Sequence, residues 1–341
     1  MRIAPVSRAS FLVVRLSSFG DIILAEPVTR RLRQAYPDSR IDFAVYGEYA
    51  ELPTLFPAVD GVVVCSRTTP SVPAFPQGFG GPLDAVIDLH NNARSRLLAA
   101  RVGARRVLRY RRPYIRRLLA VYLPWAWKGQ LRHTIDLYLD ALRPLEIEPD
   151  GDLPRLVVPP GAIEQAAARL GKGPVFGLCP GASSPWKMWG ARRFGALADM
   201  LVGQGSRVVI VGSRQDTAAV REAARGLEAK GVVTWISDSA RELAGVLAGC
   251  EVVVSNDSGL LHLAAGVGSR VVAVYGPTAP LLGFEPRGVG ARLVWRGLGC
   301  SPCSYHGNRP CRYARVSCLE DITPSEVTAL VKELAAERSR A

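Results

Sequence analysis

Short runs of β-branched and apolar residues alternate with stretches of helical hydrophobic spacing along most of the 341-residue chain. That alternation is the pattern of parallel strands joined by covering helices. In the first half, residues 11–15, 41–46, 61–64, 85–89 and 106–109 read as strands, with a helix over 22–36 after the first. In the second half, 175–179, 207–211, 232–236, 252–255 and 270–275 repeat the design. Residues 324–338 close the chain as an amphipathic helix with Val327, Leu330, Val331 and Leu334 on one face. Between the halves, residues 147–161 hold Pro149, Pro154, Pro159 and Pro160, the composition of a linker. A second Pro/Gly-rich stretch, 70–82, reads as a surface loop within the first domain. Two α/β domains are expected, with the boundary in the proline-rich segment.

Hydrophobic residues make up 48% of the chain and charged ones 21%, which excludes a disordered protein. The apolar run nearest the start, 11–14, is too short for a signal-peptide core, and no stretch of about 18 uncharged apolar residues occurs. Cleaved secretion and membrane spanning are disfavoured, and a cytoplasmic location is expected. Charge changes the picture more. The 43 Lys+Arg against 30 Asp+Glu give +13, and residues 94–133 alone supply +12: eleven Arg, Lys128 and no acid. A patch this local implies a polyanionic partner such as nucleic acid, lipid head groups or a phosphorylated saccharide. No RNP, KH or zinc-knuckle pattern accompanies it, so nucleic acid is not the expected partner.

Parallel α/β sheets bind ligands beyond the carboxyl ends of their strands, and three loops there carry chemistry. Arg15-Leu16-Ser17-Ser18-Phe19-Gly20-Asp21 follows the first strand; Asp21 either acts as a general base or caps the following helix. Pro180-Gly181-Ala182-Ser183-Ser184-Pro185-Trp186-Lys187 offers two hydroxyls and an ammonium to a diphosphate, or is a capped turn with Trp186 and Trp189 as core. Ser255-Asn256-Asp257-Ser258-Gly259-Leu260-Leu261-His262 meets a ligand at a helix N-terminus, or Asp257 is a cap and His262 structural. Neither G-x-G-x-x-G nor G-x-x-x-x-G-K-[ST] is present.

In this order, R-L-S-S-x-G-D, P-G-A-S-S-x-x-K-x-W and S-N-D-S-G-x-x-H-L-A-A followed by Val274-Tyr275-Gly276-Pro277-Thr278, the chain resembles the lipopolysaccharide heptosyltransferases of glycosyltransferase family 9. The resemblance implies a GT-B fold: Rossmann-like domains over 1–155 (acceptor) and 156–322 (nucleotide sugar) facing across a cleft, with 323–341 packing back on the first. It also implies inverting transfer of heptose from ADP-L-glycero-β-D-manno-heptose to a Kdo or heptose acceptor of the lipopolysaccharide inner core. Asp21 matches the family's base, with Ser18 and Gly20 beside it on the acceptor side. Ser183, Ser184 and Lys187 match the loop that meets the donor. Asp257 matches the carboxylate that holds the heptose, with Ser258, Gly259 and His262 nearby. After the strand ending at Gly212, Ser213-Arg214-Gln215-Asp216 departs from the acidic residues that often reach the ribose. Asp88-Leu89-His90-Asn91-Asn92-Ala93-Arg94-Ser95 resembles the acceptor-side loop, which gives Asn92, Arg94 and Arg96 an acceptor role.

One base and one phosphate site suffice for inversion, since charge on the departing diphosphate can be met by Lys187, hydroxyls and helix N-termini. No cofactor or metal is therefore expected to be required. Arg94, Arg96 and the arginines of 105–117 suit inner-core phosphates and lipid head groups. The apolar stretch 118–127 is too short to cross a bilayer and suits its inner-leaflet interface. Cys300, Cys303, Cys311 and Cys318 form a C-x2-C-x7-C-x6-C array that reads as buried thiols or a structural zinc site. Two rivals remain: a family 9 enzyme with another sugar or acceptor, and a catalytically silent polyanion-binding protein on the same fold.

Overall fold

A computed structural model describes residues 9–68, 83–123, 131–149, 151–171, 173–288 and 290–340. The loop expected over 70–82 lies outside them. The chain divides into two compact units, Met1–Pro113 with Arg132–Val157, and Tyr114–Leu131 with Val158–Ala341. In chain order the first half holds β1 (Ser10–Val14), α1 (Phe19–Ile23), α2 (Glu26–Ala35), β2 (Arg40–Tyr46), β3 (Gly61–Cys65), β4 (Ala85–Asp88), α3 (Ala93–Arg101), β5 (Arg106–Arg109), α4 (Tyr114–Tyr122) and α5 (Thr134–Leu139). The second half holds α6 (Pro160–Leu170), β6 (Val175–Cys179), α7 (Ala191–Val202), β7 (Arg207–Gly212), α8 (Thr217–Ala224), β8 (Val233–Ile236), α9 (Ala240–Ala248), β9 (Val252–Asn256), α10 (Gly259–Gly266), β10 (Arg270–Val274), β11 (Ala291–Val294), α11 (Ser317–Glu320) and α12 (Pro324–Arg340).

The first sheet has the order β3-β2-β1-β4-β5 and the second β11-β10-β9-β6-β7-β8, with every ladder parallel. Parallel strands covered on both faces read as unbroken apolar runs. Val252, Val253 and Val254 of β9 are accordingly all fully buried, as are Leu12, Val13 and Val14 of β1. In each sheet a strand pair at the middle carries the loops of interest, β1 beside β4 and β6 beside β9.

Three details differ from the sequence expectation. The helix over 22–36 is two, α1 and α2, because Pro27 has no N–H to continue a helix and is accepted only in the first turn of a new one. Strand β11 went unread, being four residues with Arg292 in the middle, on the sheet edge beside β10. Residues 114–131, read as part of the first domain, cluster with the second unit: Ala120, Val121 and Leu131 pack with Leu282, Leu281, Phe284 and Tyr305. The closing helix α12 buries Val327, Val331 and Leu334 in the second unit's core against α7, β9 and β10.

Candidate active site

The chain leaves β1 at Arg15, whose N–H still bonds the Ala44 carbonyl at 3.2 Å. Ser18 then caps α1, and Asp21 completes the capping box at its third position. Asp21 therefore caps α1, one of its two readings, and still keeps about a fifth of its side chain exposed. Its Oδ2 accepts from Ser18 Oγ at 2.8 Å and pairs with Arg15 Nη2 at 2.7 Å, while Tyr138 Oη lies 3.4 Å from Oδ1. Burial pushes the carboxyl up, but the Arg15 charge and the Ser18 and Arg15 hydrogen bonds outweigh it and leave the pKa at about 2. Arg15 is itself fixed, donating from Nη1 to the Leu89 carbonyl at 3.0 Å and lying 5.6 Å over the Tyr138 ring.

The end of β4 borders the same cluster. Asp88 is fully buried and accepts from the His90 and Asn91 N–H groups at 3.1 and 2.8 Å and from Ser95 Oγ at 3.0 Å. This turn holds Asn91 at a φ of 46°, a conformation asparagine tolerates better than most residues. His90 is buried, and burial first, then the Arg15 and Arg112 charges, lower its pKa to about 4. Arg15 Nε and His90 Nδ1 are buried without a hydrogen-bond partner among the described residues. Asn92 is the N-cap of α3, its side chain accepting from the Ser95 N–H at 3.0 Å. Arg94 and Arg96 are exposed; Arg94 Nη1 donates to the Arg67 carbonyl at 2.7 Å and Arg96 Nε to Asn91 Oδ1 at 2.9 Å.

In the second unit, β6 ends at Cys179 and the 180–187 loop is braced from below. Asn256 Nδ2 donates to the Pro180 and Gly181 carbonyls at 2.8 and 3.2 Å, and Asn256 Oδ1 accepts from the Trp189 N–H at 2.9 Å. Asn256 is fully buried, so it shapes the loop from within. Gly181 is required by close approach, since a Cβ there would lie 2.0 Å from Asp216 Oδ1. Ser184 caps the turn Pro185–Lys187 and is buried, while Ser183 is exposed. Lys187 Nζ pairs with Asp257 Oδ2 at 2.7 Å, and Thr278 Oγ1 donates to the same oxygen at 2.7 Å. Burial pushes the Asp257 carboxyl up, but Lys187, Thr278 and His262 more than offset this and hold it below its ordinary value. Ser258 caps α10, its Oγ 3.1 Å from Ser255 Oγ, and Gly259 opens the helix. The structure thus gathers Lys187, Asp257, Ser258 and His262 at adjoining loop ends, with Trp189 packed as core.

Sequence reasoning passed over Arg15, Tyr138, His90 and Thr278 as site residues. A charged residue at the end of an apolar strand signals Arg15, and Thr278 lies in a quoted motif. Tyr138 reaches Asp21 across 117 positions, which no local pattern marks. Of the arginines in 105–117, Arg117 is not available to a lipid surface: it is 3% exposed, with its guanidinium 4.5 Å over Phe284.

The cysteines Cys300, Cys303 and Cys311 are half-buried and Cys318 buried, all as free thiols. Among the described residues no group of three or more His, Cys, Asp or Glu is arranged to hold a metal ion. One D-x-D triplet does occur, Asp150-Gly151-Asp152, in the proline-rich segment, where Asp152 is paired with Arg30 at 3.1 Å.

The family model for glycosyltransferase family 9 (heptosyltransferase) matches residues 78–313. Lipooligosaccharide heptosyltransferase 2 of Haemophilus ducreyi is 25% identical across 95% of this chain and 99% of that protein. The corresponding Haemophilus influenzae enzyme is 38% identical over a stretch covering 34% of this chain and 35% of its own length, so this match spans about a third of that relative. Among solved structures, a family 9 glycosyltransferase from Veillonella parvula superposes with a TM-score of 0.78 at 21% identity, covering 98% and 99% of the two chains. The Escherichia coli ADP-heptose lipopolysaccharide heptosyltransferase II gives 0.72 at 22%, covering 97% and 99%. These two likenesses establish the shared GT-B α/β fold. With more than half its length matched by the family model, this chain belongs to glycosyltransferase family 9.

Proposed function

We propose that the protein transfers heptose, with inversion, from ADP-heptose to an inner-core lipopolysaccharide acceptor. The observation that carries this reading is Asp21, a part-exposed carboxylate in the first turn of α1 just after β1, kept ionised by Arg15 and Ser18. A carboxylate with a pKa of about 2 is a weak base. It takes the acceptor proton late, once bond formation to the sugar has acidified the hydroxyl. Buried, unsatisfied Arg15 Nε and His90 Nδ1 beside it leave polar capacity that acceptor hydroxyls or carboxylates would fill. Lys187, with Ser258 and the start of α10, supplies the positive end for a departing diphosphate. Inversion needs no second carboxylate nucleophile.

The deciding experiment is mass-spectrometric detection of transfer from ADP-heptose to a heptose-deficient lipopolysaccharide core, with Asp21→Ala and EDTA arms. A heptose increment lost in the variant and retained with EDTA is expected. Transfer only from another nucleotide sugar, or only to another acceptor, would replace the substrate and keep the family. No transfer from any donor would leave the polyanion-binding alternative.

Docking on an anionic inner leaflet belongs to the same reading. No described helix is long and apolar enough to cross a membrane. On α4, however, Ile115, Leu119 and Tyr122 are exposed at helical spacing, beside exposed Arg116. Co-sedimentation with vesicles containing anionic lipid is expected to drop on Ile115→Asp plus Leu119→Asp. Equal binding by the double variant would remove α4 from the docking surface.

A further inference from the structure

The segment after β11 contributes something to the site that its cysteines do not. It is anchored on the chain just before Thr278: Ser301 Oγ donates to the Gly276 carbonyl at 3.0 Å, and the Cys303 N–H to that of Pro277 at 3.0 Å. From there a turn closes on itself, the Asn308 N–H donating to Ser304 Oγ at 3.2 Å. Within that turn Gly307, at a φ of +66°, lies directly on the stem of Lys187. A Cβ at 307 would stand 2.3 Å from Lys187 Cγ and 2.5 Å from Cδ. The stem cannot simply swing aside, because Nζ at its far end is tied to Asp257 at 2.7 Å.

The other end of the turn is also held. Tyr305 Oη meets Arg117 Nη1 at 2.6 Å, and the Arg117 guanidinium lies 4.5 Å over Phe284 and 5.5 Å over the Tyr305 ring itself. A buried arginine from α4, inside the basic segment, is thereby tied to the turn that rests on Lys187. Lysine carries its charge on a flexible stem with several rotatable bonds, so whatever limits the stem decides where the charge can go.

We propose that Gly307 and Tyr305 are positioning residues for Lys187. The backbone at 307 forms a saddle that confines the lysine stem to one path, and the Arg117–Tyr305 bond keeps the saddle in place. This rests on the reading of Lys187 as the diphosphate-binding cation, and deepens it by naming what aims that cation.

A double-mutant cycle separates the two claims. Isothermal titration calorimetry would be run with ADP, or with whichever ribonucleoside diphosphate binds the unaltered protein most tightly. Lys187→Ala is expected to weaken binding roughly 10-fold or more. Gly307→Ala is expected to weaken it about 5-fold in the native background and less than about 2-fold in Lys187→Ala, where the obstructed stem no longer exists. The backbone strain of alanine at positive φ is common to both backgrounds and cancels. Tyr305→Phe, which keeps the ring, is expected to cost about 3-fold in the native background and nothing without Lys187. Equal losses in both backgrounds, or none in either, overturn the saddle while the Lys187 assignment survives. If Lys187→Ala leaves affinity unchanged, or no nucleoside diphosphate binds the unaltered protein, the donor-site reading falls and takes the saddle with it.

Discussion

Each unit places a carboxylate 2.7 Å from a cation at the carboxyl end of its parallel sheet, Asp21 with Arg15 and Asp257 with Lys187. In both, burial opposes ionisation, and the cation together with neighbouring hydrogen bonds outweighs it. The pairs differ in how the cation is held. Arg15 continues directly from β1, bonds the Leu89 carbonyl and stacks over Tyr138, so it cannot turn away without losing all three contacts. Its guanidinium also cannot give up a proton. Lys187 comes from a different loop than Asp257 and ends in a point charge with three rotatable donors. A fixed cation suits keeping a carboxylate permanently ionised, whereas a lysine whose stem is confined but whose ammonium end can rotate suits passing from a carboxylate to an arriving phosphate.

The largest effect that would break this contrast is on turnover. Asp21→Asn is expected to lower kcat by about 10³-fold, in the range of general-base loss, with nucleoside diphosphate affinity within about 2-fold. Asp257→Asn is expected to act mainly on the donor KM, because Lys187 remains present. Steady-state kinetics on both variants checks this, and equal kcat losses would erase the distinction between the two pairs. The pH dependence follows from the same pair. With a folded pKa of about 2 against an ordinary 3.8, the Asp21 contribution to stability is fully present above about pH 4 and is lost as pH falls toward 2. Asp21 accordingly gives kcat/KM no acid limb between pH 5 and 8.

A second effect, of intermediate size, concerns what surrounds Asp21. His90 has a folded pKa of about 4 against 6.5, so between those values the unfolded chain binds the extra proton. Stability therefore falls as pH drops from 6.5 to 4, by up to about 3 kcal/mol from this group. Urea unfolding of the native protein and of His90→Gln across that window isolates the term. A slope unchanged by the substitution would show that His90 is not held neutral beside Arg15. Loss of the slope in His90→Gln sharpens the contrast, since the Arg15–Asp21 pair then sits beside no group that titrates between pH 5 and 8.

Strand positions in both sheets were readable because doubly covered parallel strands are apolar on both faces, as with Val252 to Val254. The exception, β11, is short and carries Arg292, because an edge strand need not be apolar throughout. The places of Asp21, Lys187 and Asp257 were readable because loops at the carboxyl ends of strands are where parallel sheets expose side chains. Their partners were legible only where the chain keeps them local, as with Arg15 six residues before Asp21. Tyr138 against Asp21 and Gly307 against Lys187 are products of tertiary packing. The unit assignment of 114–131 was hidden for a similar reason. An arginine-rich helix reads as a solvated face, and nothing in its spacing announces that Arg117 is buried between Phe284 and Tyr305.

The smallest effect tests where the first site ends. Asn92 resembles an acceptor residue by its place in the β4–α3 loop, yet its side-chain oxygen is committed to the Ser95 N–H at 3.0 Å, and its own N–H to Ser95 Oγ at 3.0 Å. Ser95 in turn bonds Asp88, whose other oxygen fixes the His90 and Asn91 backbone. Asn92→Ala is thus expected to cost about 1 kcal/mol of stability as a lost helix cap. Asn92→Asp, which caps equally well, should restore it. If Asn92 acts only as a cap, acceptor KM stays within about 2-fold in both variants. A several-fold rise in KM for Asn92→Asp, with stability restored, would instead place the acceptor against this turn and extend the first site from Asp21 to the start of α3.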